Sequence, residues 1–258
     1  MQSDNKIRIM SFNLRSGVTS DGINNFVNRA PLVRELLETE KPDLIGFQEV
    51  VDMTHDFLCQ TLSADYELLG CGRNADCRGE RCMIAVRRDR LEVVSFGTRW
   101  LSQAPDVPGS RLPDCDQSCY PRVVCSALLK PIGGERFFRF INTHLDHVSA
   151  QARAKELDIL EGWLTGEPIP AALTGDFNAK PESDEIHAFA DFLAAHGWRD
   201  AANGVDGTYH DYGRCQPPTR IDYIFTNCGY ENTHVPQEPE RDGVFYSDHY
   251  AVVTDLNL

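Results

Sequence analysis

Short apolar runs recur along the whole chain, each about as long as a buried strand, and six of them abut polar groups of one chemical kind. IRIMSF ends in Asn13, DLIGF in Gln48-Glu49 and FFRFINT in His144; PAALTG runs into Asp176-Phe177-Asn178. Arg220-Ile221-Asp222 opens the run YIF, and Ser247-Asp248-His249 opens YAVV. Strand-length apolar runs bounded by turn residues specify sheets, and they normally hand over to Gly, Pro, Asn or Ser. Here they hand over to acids, amides and imidazoles, the side chains that bind metals and move protons. One such junction carries little weight. Six imply a single site gathered from distant parts of the chain.

The remaining pattern supplies the frame. Lys6 to Phe12 alternates like a strand, and Pro31 suits the first turn of a helix carrying Leu32, Val33, Leu36 and Leu37 on one face. That helix stops before Lys41-Pro42, and Asp43 to Phe47 is the next strand. Helices are expected at about 53–63, 149–164 and 183–196, and strands near 66–70, 82–87, 91–101, 122–129, 136–143, 171–174, 221–226 and 249–256. Pro131-Ile132-Gly133-Gly134 reads as a hairpin connection. Residues 102–120, with Pro105, Pro108, Gly109 and Pro113, read as a long loop, as do residues 203–219. Long ordered loops in compact domains are often functional. Strands outnumber helices and several strand pairs are sequential, which predicts sheets covered by helices in an α/β (α+β) layered domain. Without linker, repeat or low-complexity segment, residues 1–258 read as one domain.

Charge limits the partners. The chain has 39 acidic against 25 basic residues and a net charge of −14, without a basic stripe to displace counterions from long nucleic acid. A phosphate substrate held by a metal ion and a few arginines stays open. No apolar run approaches the ~18 residues of a membrane span, and MQSDNKIRIM lacks the apolar core of a secretory leader. A cytoplasmic location is expected, or a secreted one if a leader has been removed. The nine cysteines are odd in number and lack C-x2-C spacing, which favours free thiols over zinc or disulfides. In a secreted protein, residues 71–82 and 115–119 would hold the disulfide candidates.

Spacing refines the polar set. Asp176 and Asn178 are two apart and face one side of an extended segment, as do His144 with Asp146 and Arg220 with Asp222. Asp248 and His249 are neighbours, and they serve one site only from the loop before the last strand. A carboxylate beside an imidazole raises its pKa and holds its ring. A phosphate approaching Glu49, Asp176, Asp222 and Asp248 would be repelled unless a divalent cation reverses the local sign.

Taken in order, FN at 12–13, QE at 48–49, NTHLDH at 142–147, GDFN at 175–178, RIDYIF at 220–225 and SDH at 247–249 resemble the endonuclease/exonuclease/phosphatase superfamily. The resemblance spans residues 7 to 256 and is nearest to deadenylase-like and uncharacterised bacterial members. It implies a four-layer sandwich of two packed mixed β-sheets flanked by helices. It also implies hydrolysis of phosphate esters with a divalent ion, usually Mg²⁺, for which Mn²⁺ can substitute. By this resemblance Glu49 is the main metal ligand, with Asn13 beside it. Asp176 and Asn178 orient or deprotonate water and hold the scissile phosphate, and His144 stabilises the developing charge. His249, paired with Asp248, contacts the phosphate or acts as acid–base group, and Asp222 orients a neighbour such as a histidine. Arg15 stands where some of the family's nucleases carry an acid, which favours one ion and places Arg15 on phosphate or on a neighbouring acid. Arg111, Arg122 and His147 complete the expected substrate contacts, and Trp100 and Tyr120 either stack on a base or sugar or pack in the core. Acidity favours a nucleotide, short oligonucleotide or phosphorylated metabolite as substrate, with no obligate protein partner. An endo- or exonuclease on DNA or RNA and a silent phosphate-binding protein are the alternatives.

Overall fold

The computed structural model describes residues 6–165, 169–236 and 240–258. Along the chain lie β1 (Lys6–Asn13), α1 (Phe26–Glu40), β2 (Leu44–Val50), α2 (Asp52–Leu62), β3 (Tyr66–Leu69), β4 (Arg81–Arg87) and β5 (Leu91–Trp100). There follow β6 (Val123–Pro131), β7 (Phe138–His144), α3 (Ala150–Leu164), β8 (Ala171–Asp176), α4 (Asp184–Ala195) and β9 (Arg199–Asp200). The chain ends with β10 (Asp222–Thr226), β11 (Gly229–His234), β12 (Glu240–Arg241), β13 (Val244–Phe245) and β14 (Val252–Asn257).

Two six-stranded sheets have the orders β11-β14-β1-β2-β4-β3 and β5-β6-β7-β8-β10-β9. Each contains one parallel pair, β1 with β2 and β7 with β8, among antiparallel neighbours. The apolar residues divide accordingly. Ile9, Ile84 and Val252 of the first sheet meet Ala127, Phe140 and Ile224 of the second in a shared middle core. Met10, Phe12 and Phe47 face outward onto Val33 and Leu37 of α1 and Leu58 of α2. Leu173 and Phe225 face outward onto Leu157 and Leu160 of α3 and Phe189 of α4. The expected four-layer sandwich is therefore the observed one, and it explains runs such as LIGF: strands covered on both faces need apolar residues at every position.

A polar seam crosses the middle layer near the ends of the parallel pairs. Asn142 donates to the carbonyls of Phe47 (2.8 Å) and Met83 (3.0 Å) and accepts from Gln48 Nε2 (2.7 Å). The sheets approach so closely here that a Cβ on Gly46 would lie 2.2 Å from Thr174 Oγ1. This seam fixes how one sheet's strand ends sit against the other's.

The elements differ from expectation in several places, of which three are informative. α1 begins at Phe26, so Pro31 lies inside the helix. Proline removes the hydrogen bond to the carbonyl four residues earlier, and that residue, Val27, is solvent-exposed. β14 begins at Val252, which leaves Asp248 and His249 in the preceding loop. Residues 229–234 form edge strand β11, and its exposed polar sequence GYENTH gave no apolar signal.

Candidate active site

Parallel pairing brings the carboxyl ends of β1, β2, β7 and β8 to a common edge. Asp222, at the start of antiparallel β10, stands opposite Asp176, and His144 stands opposite Asp176 on the other side. The loop before β14 reaches the same edge, where the Tyr209 and His249 backbones pair. Buried Arg29 braces this corner by donating to the carbonyls of Leu14 (2.7 Å), Asn24 (2.7 Å), Tyr246 (3.0 Å) and Arg15 (3.1 Å). The result is a cleft of about 710 Å³ whose wall includes Arg15, Glu49, His144, Asp176, Asn178, Asp248 and His249.

Backbone conformation aims several of these side chains. Glu49 follows Gln48, and on a regular strand the two would face opposite sheet surfaces. The pairing of β2 with β4 is irregular between Phe47 and Val50, and Glu49 adopts φ 59°. Gln48 consequently enters the seam while Glu49 turns into the cleft. Asn178 also has a left-handed backbone, φ 50°, and its amide donates to Asp176 Oδ1 at 2.8 Å. Such conformations are costly for most residues but tolerated by Asn.

Asp176 is the hub. Its Oδ2 accepts from Asn13 Nδ2 at 2.9 Å and lies 3.6 Å from His144 Nε2 and 3.8 Å from His249 Nε2. Asn13 Nδ2 also donates to Glu49 Oε1 (3.1 Å), while Asn13 Oδ1 accepts from the Arg15 amide (2.8 Å). Asn13 thus presents its amide group to both acids and organises them, and its oxygen is engaged elsewhere. Glu49 Oε2 accepts from the Ser16 amide at 2.7 Å.

The expected pairing of His249 with Asp248 is corrected, while Asp222 does meet a histidine. The partner of His249 is Asp222, whose Oδ2 lies 2.8 Å from Nδ1, and not the adjacent Asp248. Asp248 instead lies 3.5 Å from Arg15 Nε and accepts from Ser247 Oγ. Burial pushes the His249 pKa down, but the charges of Asp222 and Asp176, the hydrogen bond to Asp222 and the charge of Asp248 raise it to about 10. The ring is an imidazolium at neutral pH.

His144 is matched on its other side by Glu80, a residue the sequence reading missed. His144 Nδ1 lies 3.6 Å from Glu80 Oε1. Burial raises the Glu80 pKa, but His144, Arg73 and Arg122 overcome this and hold it at about 2. Glu80 directly precedes β4, so it too stands at a strand junction, and the junction rule applied to the run CMIAV would have found it. Arg73 and Tyr209, which also line the cleft, carried no such signal.

The structure sorts the arginines and aromatics. Arg122 and His147 line the cleft, whereas Arg111 does not and spends its guanidinium on the carbonyls of Gln117 and Ser118. Arg15 lines the cleft while held by Asp21 (3.3 Å) and Asp248. Trp100 is core, with Nε1 donating to the Arg73 carbonyl at 2.6 Å, and Tyr120 stands 45% exposed in the cleft wall.

Among the described residues, two groupings offer ligand atoms within 4.8 Å of one another: Glu49 with His144 and Asp176, and Asp176 with Asp222 and His249. The second is an imidazolium held between carboxylates, which has no lone pair for a metal. The first has a carboxylate pair bridged only by the neutral amide of Asn13. Crowded like charges and hard oxygen donors suit a hard divalent cation.

A two-sheet sandwich with acids and imidazoles at the carboxyl ends of its central strands defines a phosphoesterase and nuclease architecture. The model of the Endonuclease/Exonuclease/phosphatase family matches residues 10–249, and the chain belongs to that family of hydrolases acting on phosphate esters. It is similar to the crystal structure of an endonuclease/exonuclease/phosphatase from Bacteroides vulgatus, with TM-score 0.87 and 29% identity over 98% of this chain and 99% of that one. It is also similar to a mannosyl-6-phosphatase of Bacteroides thetaiotaomicron, with TM-score 0.84 and 25% identity over 98% of this chain and 100% of that one. An uncharacterized protein of Acanthamoeba polyphaga mimivirus is 25% identical over 184 residues, 67% of each chain.

Proposed function

We propose that this chain hydrolyses the phosphate ester of a small molecule with the help of one divalent cation, Mg²⁺ or in its place Mn²⁺, held by Glu49 and Asp176. The observation that carries this reading is the meeting of two carboxylates and two imidazoles, from four distant stretches, in one cleft. When bound, the cation would offset the carboxylate charge and polarise a phosphoryl oxygen. Asp176, its Oδ2 shared among Asn13, His144 and His249, orients the attacking water and takes its proton. His249 donates from Nε2 as an imidazolium to the charge that grows on phosphorus-bound oxygen, with Asp222 holding its ring. His144, backed by Glu80, does the same from the other side, and Asn178 and Arg15 hold the phosphate. The water oxygen bonds to phosphorus as its proton passes to Asp176, the ester P–O bond breaks, the leaving oxygen takes a proton from solvent to become an alcohol, and Asp176 returns its proton to solvent.

A small substrate is supported by the net charge of −14 and the likeness to a mannosyl-6-phosphatase. The test is phosphate release from p-nitrophenyl phosphate and a panel of phosphorylated metabolites. EDTA should abolish it and Mg²⁺ restore it. Asp176→Asn and His249→Ala should each lower turnover at least ~100-fold with an unchanged circular dichroism spectrum. Near-normal turnover in both variants, or full activity in EDTA, would overturn the assigned roles. Efficient nicking of plasmid DNA at physiological salt would overturn the substrate class.

A further inference from the structure

Arg15 is pinned at every polar group but one. Its backbone is left-handed, φ 55°, a costly conformation for a residue with a Cβ. The amide donates to Asn13 Oδ1 at 2.8 Å and the carbonyl accepts from Arg29 Nη2 at 3.1 Å. Nε and Nη2 donate to the two carboxylate oxygens of Asp21, each at 3.3 Å, and Asp248 lies 3.5 Å from Nε. Nη1 bonds no described residue, and the side chain is 31% exposed in the cleft wall. Asp21 is held in turn. Thr19 Oγ1 donates to its Oδ2 at 2.8 Å, its amide donates to Asn25 Oδ1 at 3.0 Å, and the Tyr212 hydroxyl donates to Oδ2 at 3.1 Å. Burial alone would raise the Asp21 pKa, but the bonds from Arg15 and Thr19 and the charge of Arg15 lower it, so it stays a carboxylate. Tyr212 comes from the loop between β9 and β10, 191 residues along the chain. That loop bends through two successive left-handed residues, Asp211 (φ 48°) and Tyr212 (φ 53°). The amides of His210 and Asp211 both donate to the Asp248 carbonyl, at 3.0 and 3.2 Å. The loop is thus seated on the residue whose side chain faces Arg15, and its tyrosine closes on Asp21.

From this, and resting on the phosphoesterase reading above, we infer that Asp21 and Tyr212 are positioning residues for the phosphoryl group. They clamp Arg15 so that Nη1, its one free nitrogen, meets the phosphate, and neither touches the substrate. Strained backbone persists only where its surroundings over-determine it, and it gathers where a group must be preorganised. Here it occurs on both partners of the clamp, at Arg15 and at Tyr212. A free arginine loses rotamer freedom each time it binds phosphate, whereas one held beforehand has already lost it. Two carboxylates offset the charge of Arg15, so its contribution is a directed hydrogen bond more than a net charge. Because the two loops leave different sheets, the clamp also ties the phosphate position to the packing of one sheet on the other.

The experiment measures the KM for p-nitrophenyl phosphate and the inhibition constant of inorganic phosphate on the Mg²⁺-loaded enzyme. Arg15→Met should raise both by ~10-fold or more, the scale of one lost charge-assisted hydrogen bond. Asp21→Asn keeps the shape and removes the charge, and should raise both ~5-fold, with kcat changing less. Tyr212→Phe should raise them ~2–3-fold. It removes only a hydroxyl, so it tests the clamp even where a change at Asp21 disturbs folding. Asp21→Glu, which returns the carboxylate, should recover part of the loss. The decisive arm is a double-mutant cycle: in the Arg15→Met background Asp21→Asn should add less than ~2-fold, because it acts only through Arg15. Unmoved constants in both Asp21→Asn and Tyr212→Phe, a loss confined to kcat, or an equal loss from Asp21→Asn in the two backgrounds would overturn the clamp while leaving the phosphoesterase reading intact. A parent protein that hydrolyses no phosphate ester would overturn both.

Discussion

At His249, burial and charge pull in opposite directions. Loss of water favours the neutral ring, yet Asp222 at 2.8 Å and Asp176 at 3.8 Å hold it as a cation up to about pH 10. Asp222→Asn keeps the shape and removes the charge. In the metal-free protein the His249 titration, followed by NMR, should move down toward the ordinary histidine range, and turnover of the loaded enzyme should fall by ~10²-fold or more. A ring still titrating near 10 in this variant would assign its charge to Asp176 instead. The identities of these residues were legible in the chain because each stands at a strand junction. Their partnerships were legible only in part, since the resemblance gave Asp222 to a neighbour such as a histidine without saying which. Adjacency favoured Asp248 for His249, but neighbouring side chains diverge, and the true partner is 27 residues away. It gets there through the register of β10 on β8, which pairs Asp222 with Asp176 and which no spacing rule reveals. Arg111 misled for a related reason: a loop arginine that satisfies the carbonyls of its own loop looks in sequence like one free for substrate.

Among the elements, the loop between β5 and β6 is held less by its own sequence than by the start of α3. Asp146 accepts the amides of Ser118 (3.0 Å), Val148 (3.0 Å) and Ser149 (2.9 Å), tying the loop that carries Tyr120 to the first turn of the helix. Glu156, nearly two turns into α3, accepts the Asp146 amide at 2.9 Å. Asp146→Ala orphans several amides at once, a cost of about 2–4 kcal/mol. Limited proteolysis should then cut within residues 103–119 faster than in the parent protein while the rest of the chain stays protected, and a loop equally resistant in the variant would mean that another anchor holds it. The loop itself was readable from its prolines, as were the buried strands from their apolar runs. Edge strand β11 was not, because polar residues suffice where one sheet margin faces water. Nor was the likeness of the two sheets, each with one parallel pair beside antiparallel strands. Similar hydrogen-bonding order needs similar placement of apolar runs, not similar residues, so no repeat shows in the letters.

Across the described residues, four buried or half-buried groups with large shifts shape how stability follows pH. Burial raises the Glu156 pKa to about 8, so its contribution is fully present below the unfolded value of ~4.3 and is lost as pH rises through about 8. His249, raised to about 10, contributes below ~6.5 and loses that contribution toward pH 10. His210 behaves oppositely: burial, and then the charge of His249, depress it to about 4, so its contribution is present above ~6.5 and lost as pH falls through about 4. Glu80, held at about 2, likewise loses its contribution as pH falls from ~4.3. Above neutrality only losses accumulate, and the growing negative charge of a chain with pI 4.9 adds self-repulsion in the same direction. The metal-free protein should therefore melt highest at roughly pH 5–6.5 and decline steadily on the alkaline side. Glu156→Gln retains an acceptor for the Asp146 amide and removes the proton-linked loss. Its melting temperature, measured by calorimetry in steps from pH 4 to 10, should rise relative to the parent's between ~4.3 and 8 and run parallel to it above that range. Curves parallel throughout would mean that Glu156 stays ionised in the folded protein, held by Arg122 and the amides around it.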